Sequence, residues 1–349
     1  FPLNGINDTD FVINDLPSDN DYLFVVEKKF YFHNVSFSCP DALMSAIKSN
    51  HSNQVIVKKC KFNKCSVKSE IGNGGAILSL NCAFKCDNSE FSECKSKQNG
   101  GGGGVFVVLN ENVNEDVVVE KCKFVKCSAT FGGALYLFSN VESSSVIVKG
   151  CTFESNSLFE SSSSASSNSL FGGSAIYMNV LRGMTLRCKF VLNEGDCSLK
   201  IENNLDKDPS RLLKEISIRS AILVEKCEFE IGSSAKSSLS FVQGSKKVVN
   251  TDVVDCVFKG TLLEESHHIN VKVDAAGKQR LTIKSCKFAC DRSKSINMKF
   301  DELSNSFVVF NSKMQIFNYN ENDKDAESTN SRTMFAMSLA FIFVAIMAS

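Results

Sequence analysis

Residues 117–124 read VVVEKCKF, and the same frame recurs as VIVKKCKF at 55–62, VIVKGCTF at 146–153, ILVEKCEF at 222–229 and LTIKSCKF at 281–288. In general form it is apolar-x-apolar-x-x-Cys-x-Phe. Three variants extend it: FYFHNVSF at 30–37 has Val35 in the Cys place, FKCDNSEF at 84–91 has Ser89, and TDVVDCVF at 251–258 opens on Thr251. Around Cys188 the apolar positions slip by one, with Leu186 standing where Thr185 is expected. All nine units keep the aromatic: Phe37, Phe62, Phe91, Phe124, Phe153, Phe190, Phe229, Phe258 and Phe288.

The Cys-equivalent positions are separated by 25, 29, 33, 29, 37, 39, 29 and 30 residues. A base period near 29 with occasional longer steps is what a solenoid gives when loops are inserted on its outside. Within a unit the apolar side chains recur with period two, so the elements are strands. The polar pair between the two inward runs, Lys58-Lys59 or Glu120-Lys121, is even in number, so the chain turns a corner and buries the same face again. Each unit adds a second strand-like segment led by paired glycines: GGAILSL at 74–80, GGVFVVL at 103–109, GGALYLF at 132–138 and GGSAIYM at 172–178. Such pairs suit a positive φ or a close backbone approach.

These features predict an all-β chain, a parallel β-helix of about nine or ten coils. At roughly 4.8 Å per rung the rod is about 45 Å long, with Phe, Val/Ile and Cys stacked in ladders. A leucine-rich repeat would carry a helix in each unit, and a propeller of this period would carry Trp-Asp signatures, whereas this chain has no Trp. Residues 1–29, with a short helix over Asp41–Ser49, read as an N-terminal cap, 30–317 as the solenoid and 318–333 as a polar linker. Gly100–Gly104, Ser161–Ser169 and Glu202–Arg211 read as surface insertions, so 96–104, 157–171 and 199–216 are expected to be presented as loops.

Residues 334–349, MFAMSLAFIFVAIMAS, carry no charge. As a helix they would span roughly 24 Å, short of a hydrocarbon core of about 30 Å. A polar spacer before an apolar tail resembles a GPI-attachment signal; a short transmembrane segment and a buried core helix are the competing readings. Membrane attachment through this tail is the expectation.

Composition narrows the function classes. With 39 basic and 39 acidic side chains there is no charge excess to hold a polyanion, so nucleic acid is not an expected partner. At 43% hydrophobic and 22% charged, the bulk of the chain is globular. The 15 cysteines are odd in number and not spaced as a disulfide knot. Seven of them, at 60, 122, 151, 188, 227, 256 and 286, take one inward position and read as small buried hydrophobes, with rung-to-rung disulfides as the alternative. Cys65, Cys94 and Cys127 lie where the coil bends, which favours pairing more there. Cys82-x3-Cys86 and Cys60-x4-Cys65 are not read as zinc ligands, because the strand frame already accounts for Cys60 and Cys86.

The five-glycine run lacks the Lys-Ser/Thr of a phosphate loop and reads as a flexible loop. No Gly-x-Ser-x-Gly elbow is present, and His267 and His268 fall in a polar segment as solvated loop residues. Outward acids such as Glu120, Glu225 and Asp255 share a turn position with Lys59, Lys149 and Ser285, a mixed solvated edge. With no Trp and 5 Tyr, a sugar-stacking aromatic platform is not expected. No catalytic, cofactor-binding or metal residue is assigned. Candidate glycosylation sequons begin at Asn7, Asn34 and Asn50.

The combination of GGA(I/L) with Phe-x-x-Asn resembles the repeats of polymorphic outer-membrane proteins and related β-helix surface proteins of protists. It stands here as Gly74-Gly75-Ala76-Ile77 and Gly132-Gly133-Ala134-Leu135, with Phe153-Glu154-Ser155-Asn156 and Phe190-Val191-Leu192-Asn193. Cys replaces the Asn at Cys65, Cys94 and Cys127. The match is good over about residues 30–195 and weak over 196–315. The resemblance implies a right-handed coil and an exposed surface protein, often an adhesin. With the apolar tail, the expected function is a membrane-anchored, non-catalytic scaffold on the extracellular face, binding a protein or glycan. A pectate-lyase-like or glycoside-hydrolase activity is the alternative, and a purely structural coat the third reading.

Overall fold

A computed structural model describes residues 11–14, 24–26, 29–40, 42, 44–50, 54–67, 72–97, 100–110, 115–141, 143–159, 172–203, 221–243, 248–273, 278–289, 295–300, 307–311 and 315–317. The linker and tail of 318–349, together with Asn7, lie outside them. The described residues form a parallel β-helix, all-β, with strands in three long parallel sheets of 11, 10 and 10 members. Sheet 1 holds the apolar-x-apolar strands (Val117–Glu120, Val146–Lys149), sheet 2 the Cys-x-Phe strands (Lys123–Val125, Thr152–Glu154) and sheet 3 the glycine-led strands (Val105–Leu109, Leu135–Ser139). Nine complete rungs run from Phe30 to Phe300, with a partial rung at each end.

The partial first rung begins inside the segment read as a cap. Phe11–Asn14 pairs in register with Phe30–His33, and Phe24–Val26 pairs with Ile47–Asn50. The predicted helix over Asp41–Ser49 is not formed: Ile47–Asn50 is a sheet-3 strand paired with Ile77–Leu80. The local helical pattern of ALMSAI loses to a ladder partner and to complete burial of Ala46 and Ile47.

The inward frame holds. Val55, Val57, Cys60 and Phe62 are buried, and so are their equivalents on successive rungs. Register then stacks the nine phenylalanines into one column, with centroids 4.6 to 5.1 Å apart and ring planes within 12° of parallel. Beside it, the Asn of Phe-x-x-Asn reaches back one rung: Asn156 Nδ2 donates to Phe124 O at 3.1 Å and Asn193 Nδ2 to Phe153 O at 3.0 Å. Cys94 and Cys127 make the same backward contact through sulfur, to Phe62 O at 3.5 Å and Phe91 O at 3.6 Å. This is why Cys can stand in the Asn place.

Two structural devices turn the corners. After each sheet-1 strand one residue sits in the left-handed region: Asn34, Lys59, Asn88, Lys121, Gly150, Arg187, Lys226, Asp255 and Ser285, with φ between 49° and 62°. Glu120, Glu225, Asp255, Lys59, Lys149 and Ser285 are expected from the repeat frame to share one turn position. The structure separates them into two columns, because Glu120, Lys149 and Glu225 end strands while Lys59, Asp255 and Ser285 are the left-handed residues that follow.

At sheet 3 the glycine pair divides the work. Gly102 has φ +62°, while a Cβ on Gly103 would lie 2.3 Å from Gly133 O and 2.6 Å from Ser128 O. The pair is therefore 102–103, not 103–104, and Gly104 takes the place of Ala76 and Ala134, as its hydrogen bonds on both sides show. The whole run Gly100–Gly104 is buried, not a flexible surface loop. Low complexity misled here because the glycines serve close packing between rungs. Gly103→Ala is expected to destabilise by about 1–3 kcal/mol or more, since backbone on two sides must move. Urea denaturation checks it; an unchanged midpoint would mean that the rungs can spread without penalty.

Candidate interaction surface

Strand alternation sends two residues of each sheet-1 strand outward, and register lines them up along the rod. The first outward column reads Lys85, Val118, Ile147, Met184, Leu223, Asp252, Thr282. The second reads Asp87, Glu120, Lys149, Leu186, Glu225, Val254, Lys284. Val118, Ile147, Met184, Leu223 and Leu186 thus form an apolar stripe across four consecutive rungs, each side chain only partly covered by its neighbours on the sheet. The stripe is bordered by charge: Lys149 Nζ lies 3.4 Å from Glu120 Oε1, Lys58 Nζ 3.7 Å from Asp87 Oδ2 and Lys226 Nζ 2.7 Å from Glu225 Oε1.

The sequence carried a trace of this stripe. The apparent slip around Cys188 is not a slip, because Thr185 pairs with Val148 and Val224 and is buried, while Leu186 pairs with Lys149 and Glu225 and points outward. Gly183 fills the other inward place, its missing side chain replaced by Met178 and Val180, whose atoms would lie within 2.9 Å of a Cβ there. Met184 and Leu186 look like misplaced core residues in a frame search. They are outward apolar residues on a rung whose core is filled from elsewhere.

A second cluster lies on the outward side of sheet 3. Phe106, Tyr136 and Tyr177 stack at 4.4 and 5.1 Å, in the room left by Gly101, where a Cβ would sit 2.8 Å from the Tyr136 ring. The column ends at Lys200, whose Nζ is 5.5 Å from the Tyr177 ring centroid and 2.7 Å from Glu202 Oε1. Tyr177 Oη donates to Glu202 Oε2 at 2.5 Å. Burial, with the nearby Glu202 carboxylate, pushes the Tyr177 phenol well above its ordinary range. Both faces of Tyr136 and Tyr177 are thus engaged, by neighbouring rings and by the Lys200 ammonium. Lys200 and Glu202 lie on Cys197–Asn203, a strand buried on both sides, so the expected loop 199–216 begins as sheet.

None of the fourteen described cysteines is in a disulfide, and all are buried. Cys122, Cys151, Cys188, Cys227, Cys256 and Cys286 each donate to a carbonyl on the preceding rung at 3.4 to 3.6 Å. Burial holds the thiol of Cys60 up at about 11 and raises those of Cys122, Cys151 and Cys227, so they stay protonated and unreactive. Cys82 Sγ is 2.8 Å from Ser49 Oγ. Among the described residues no three His, Cys, Asp or Glu side chains converge to hold a metal ion.

His267 and His268 are not loop residues: both belong to the strand His267–Val273, and His268 is fully buried. Its Nδ1 is 3.0 Å from Ser238 Oγ, and its ring tilts against Phe258 and Phe288 at 5.7 and 6.2 Å. Burial pulls its pKa down to about 4. The polar flank Glu264-Glu265-Ser266 concealed the alternation that places it inside. Of the sequon residues, Asn34 and Asn50 are exposed, Asn34 at a left-handed corner and Asn50 at a strand end.

Fold and surface together define a parallel β-helix that carries an outward apolar stripe on sheet 1. No model of a known protein family matches the chain, and no curated protein matches it. Among the described residues no helix is long and apolar enough to cross a membrane.

Proposed function

We propose that this chain is a membrane-anchored protein of the extracellular face of the cell, a non-catalytic, adhesin-like scaffold that engages a protein or glycan through its lateral surface. The observation that carries this reading is the stripe of Val118, Ile147, Met184, Leu223 and Leu186. A row of outward apolar residues on a rigid face, rimmed by charge, is the composition of a docking surface. The uncharged run 334–349 supports the anchor, and the repeat resemblance supports the surface location.

The rod's outward acids point the same way. Asp87, Glu120 and Glu225 each have a lysine ammonium within 4 Å, which suits a solvated rim better than an acid/base pair flanking a glycosidic bond. To test the reading, residues 1–320 would be secreted from a eukaryotic host and titrated on cells and glycan arrays. Saturable binding is the expected result. Turnover of polysaccharide in the same samples would replace the scaffold by the carbohydrate-active alternative.

A further inference from the structure

We propose that the apolar stripe of sheet 1 is the contact face for a second copy of this chain, paired about a two-fold axis that runs parallel to the strands through the Met184 rung. This names a partner for the surface on which the scaffold reading rests.

The argument is one of self-complementarity. Such an axis keeps each column facing itself and reverses its order along the rod, so that rung n above Met184 meets rung n below. In the first column Met184 then faces Met184 and Ile147 faces Leu223. In the second, Leu186 faces Leu186, Lys149 faces Glu225, and Asp87 faces Lys284. Four opposite-charge contacts therefore surround an apolar centre, because each pairing occurs twice. Two rungs out, Val118 meets Asp252, and Glu120, which meets Val254, keeps its contacts to Lys121 and Lys149 within its own chain.

No neighbouring axis does as well. Moving it to the Ile147 rung sets Lys149 against Lys149, and moving it to the Leu223 rung sets Glu225 against Glu225. Placing it between Ile147 and Met184 opposes Glu120 to Glu225. Placing it between Met184 and Leu223 sets Leu186 against Glu225 and Ile147 against Asp252. Three of these alternatives oppose like charges, and like-charge juxtaposition across an interface costs several kcal/mol. The axis between Met184 and Leu223 leaves one opposite-charge pairing, Glu120 with Lys284, against two about the Met184 rung.

The facing rows span seven rungs, roughly 29 Å at about 4.8 Å per rung, and the flat faces of two sheets pack about 10 Å apart. With a strand width of about 13 Å, the patch covers on the order of 400 Å² per partner, in the range of weak, reversible contacts. The ring and loop features elsewhere on the rod do not enter this contact, so a coat of indefinite extent does not follow: a two-fold face closes on itself as a dimer.

The experiment is sedimentation of the full chain in mild detergent, from about 1 to 200 μM, for the wild type, Lys149→Glu, Glu225→Lys and the double reversal. The expected result is a concentration-dependent dimer, weakened about tenfold or more in each single variant and restored in the double variant. Lys123→Glu on sheet 2 serves as the control and should leave association unchanged. A wild-type monomer throughout would overturn the proposal, and so would single reversals without effect, or a double reversal that fails to restore pairing. Circular dichroism of each variant shows that the fold is kept, since all the altered side chains are exposed or half-exposed. A dimer that behaves as expected while the protein binds neither cells nor glycans would overturn the adhesin reading alone.

Discussion

Replacing Phe124 by Ala is expected to remove about 3–5 kcal/mol of stability, the cost of deleting a buried phenyl group and leaving a cavity. Phe124 lies inside the continuous column, 4.6 Å from Phe91 and 5.1 Å from Phe153, and is fully buried. Its loss breaks ring contact on both sides. In a solenoid each rung is stabilised mainly by its two neighbours, so the deficit falls on the interfaces at one level of the rod. Urea unfolding followed by far-ultraviolet circular dichroism should show a lower first midpoint and a transition that splits in two as the halves uncouple. Phe124→Leu, which retains much of the volume, should lose less than half as much. A loss under about 1 kcal/mol for the alanine variant would show that the stack is not what joins the rungs.

The second large effect concerns pH. His268 is neutral in the folded core with a pKa near 4, against an ordinary value of 6.5. Because the folded pKa is depressed, the unfolded chain binds the extra proton first. The associated stability is complete above the unfolded value and is lost as pH falls from about 6.5 toward 4. Between pH 7 and pH 5 the loss from this residue should be about 2 kcal/mol, and about 3 kcal/mol over the full window. Denaturation of wild type and His268→Gln at the two pH values separates this contribution from the carboxylates, which titrate mainly below pH 5. The Gln variant should lose that part of the pH dependence; an identical slope in both proteins would place the titrating group elsewhere.

Much of the architecture was legible in the sequence because one position of the frame admits only one residue. Nine phenylalanines at a period near 29 specify strand, register and stacking at once, and the structure places them in a single column. The corners were legible only as a polar pair. After sheet 1 the residue that bends the chain is Lys, Arg, Asn, Asp, Ser or Gly, and where it leaves sheet 2 also Glu93 and Leu192, so no side chain announces the left-handed conformation shared by all of them. Gly100–Gly104 was misread because a glycine run looks the same whether it serves freedom or tight packing. His268 was misread because the residues before it are charged, although its own strand alternates.

The interaction surface was the least legible part, for a physical reason. The frame leaves Val118, Ile147 and Leu223 at its outward x position, but Met184 and Leu186 read as the inward pair of a slipped unit, an irregularity instead of a continuation of that stripe. Only the pairing of Thr185 with Val148 and Val224 reverses that assignment. Sheet register is needed to see that Met184 joins Val118, Ile147 and Leu223 in one column, 37 residues after Ile147 and 39 before Leu223.

The most direct test of this surface is hydroxyl-radical footprinting of the full chain, free at low concentration and then associated or cell-bound. Met184, Leu186 and Leu223 should oxidise readily when free and be protected on association, while Leu192, exposed at a left-handed corner leaving sheet 2, reacts equally in both states. Unchanged oxidation of Met184 and Leu223 alongside protection of Leu192 or Tyr136 would contradict the account and move the working face to another side of the rod.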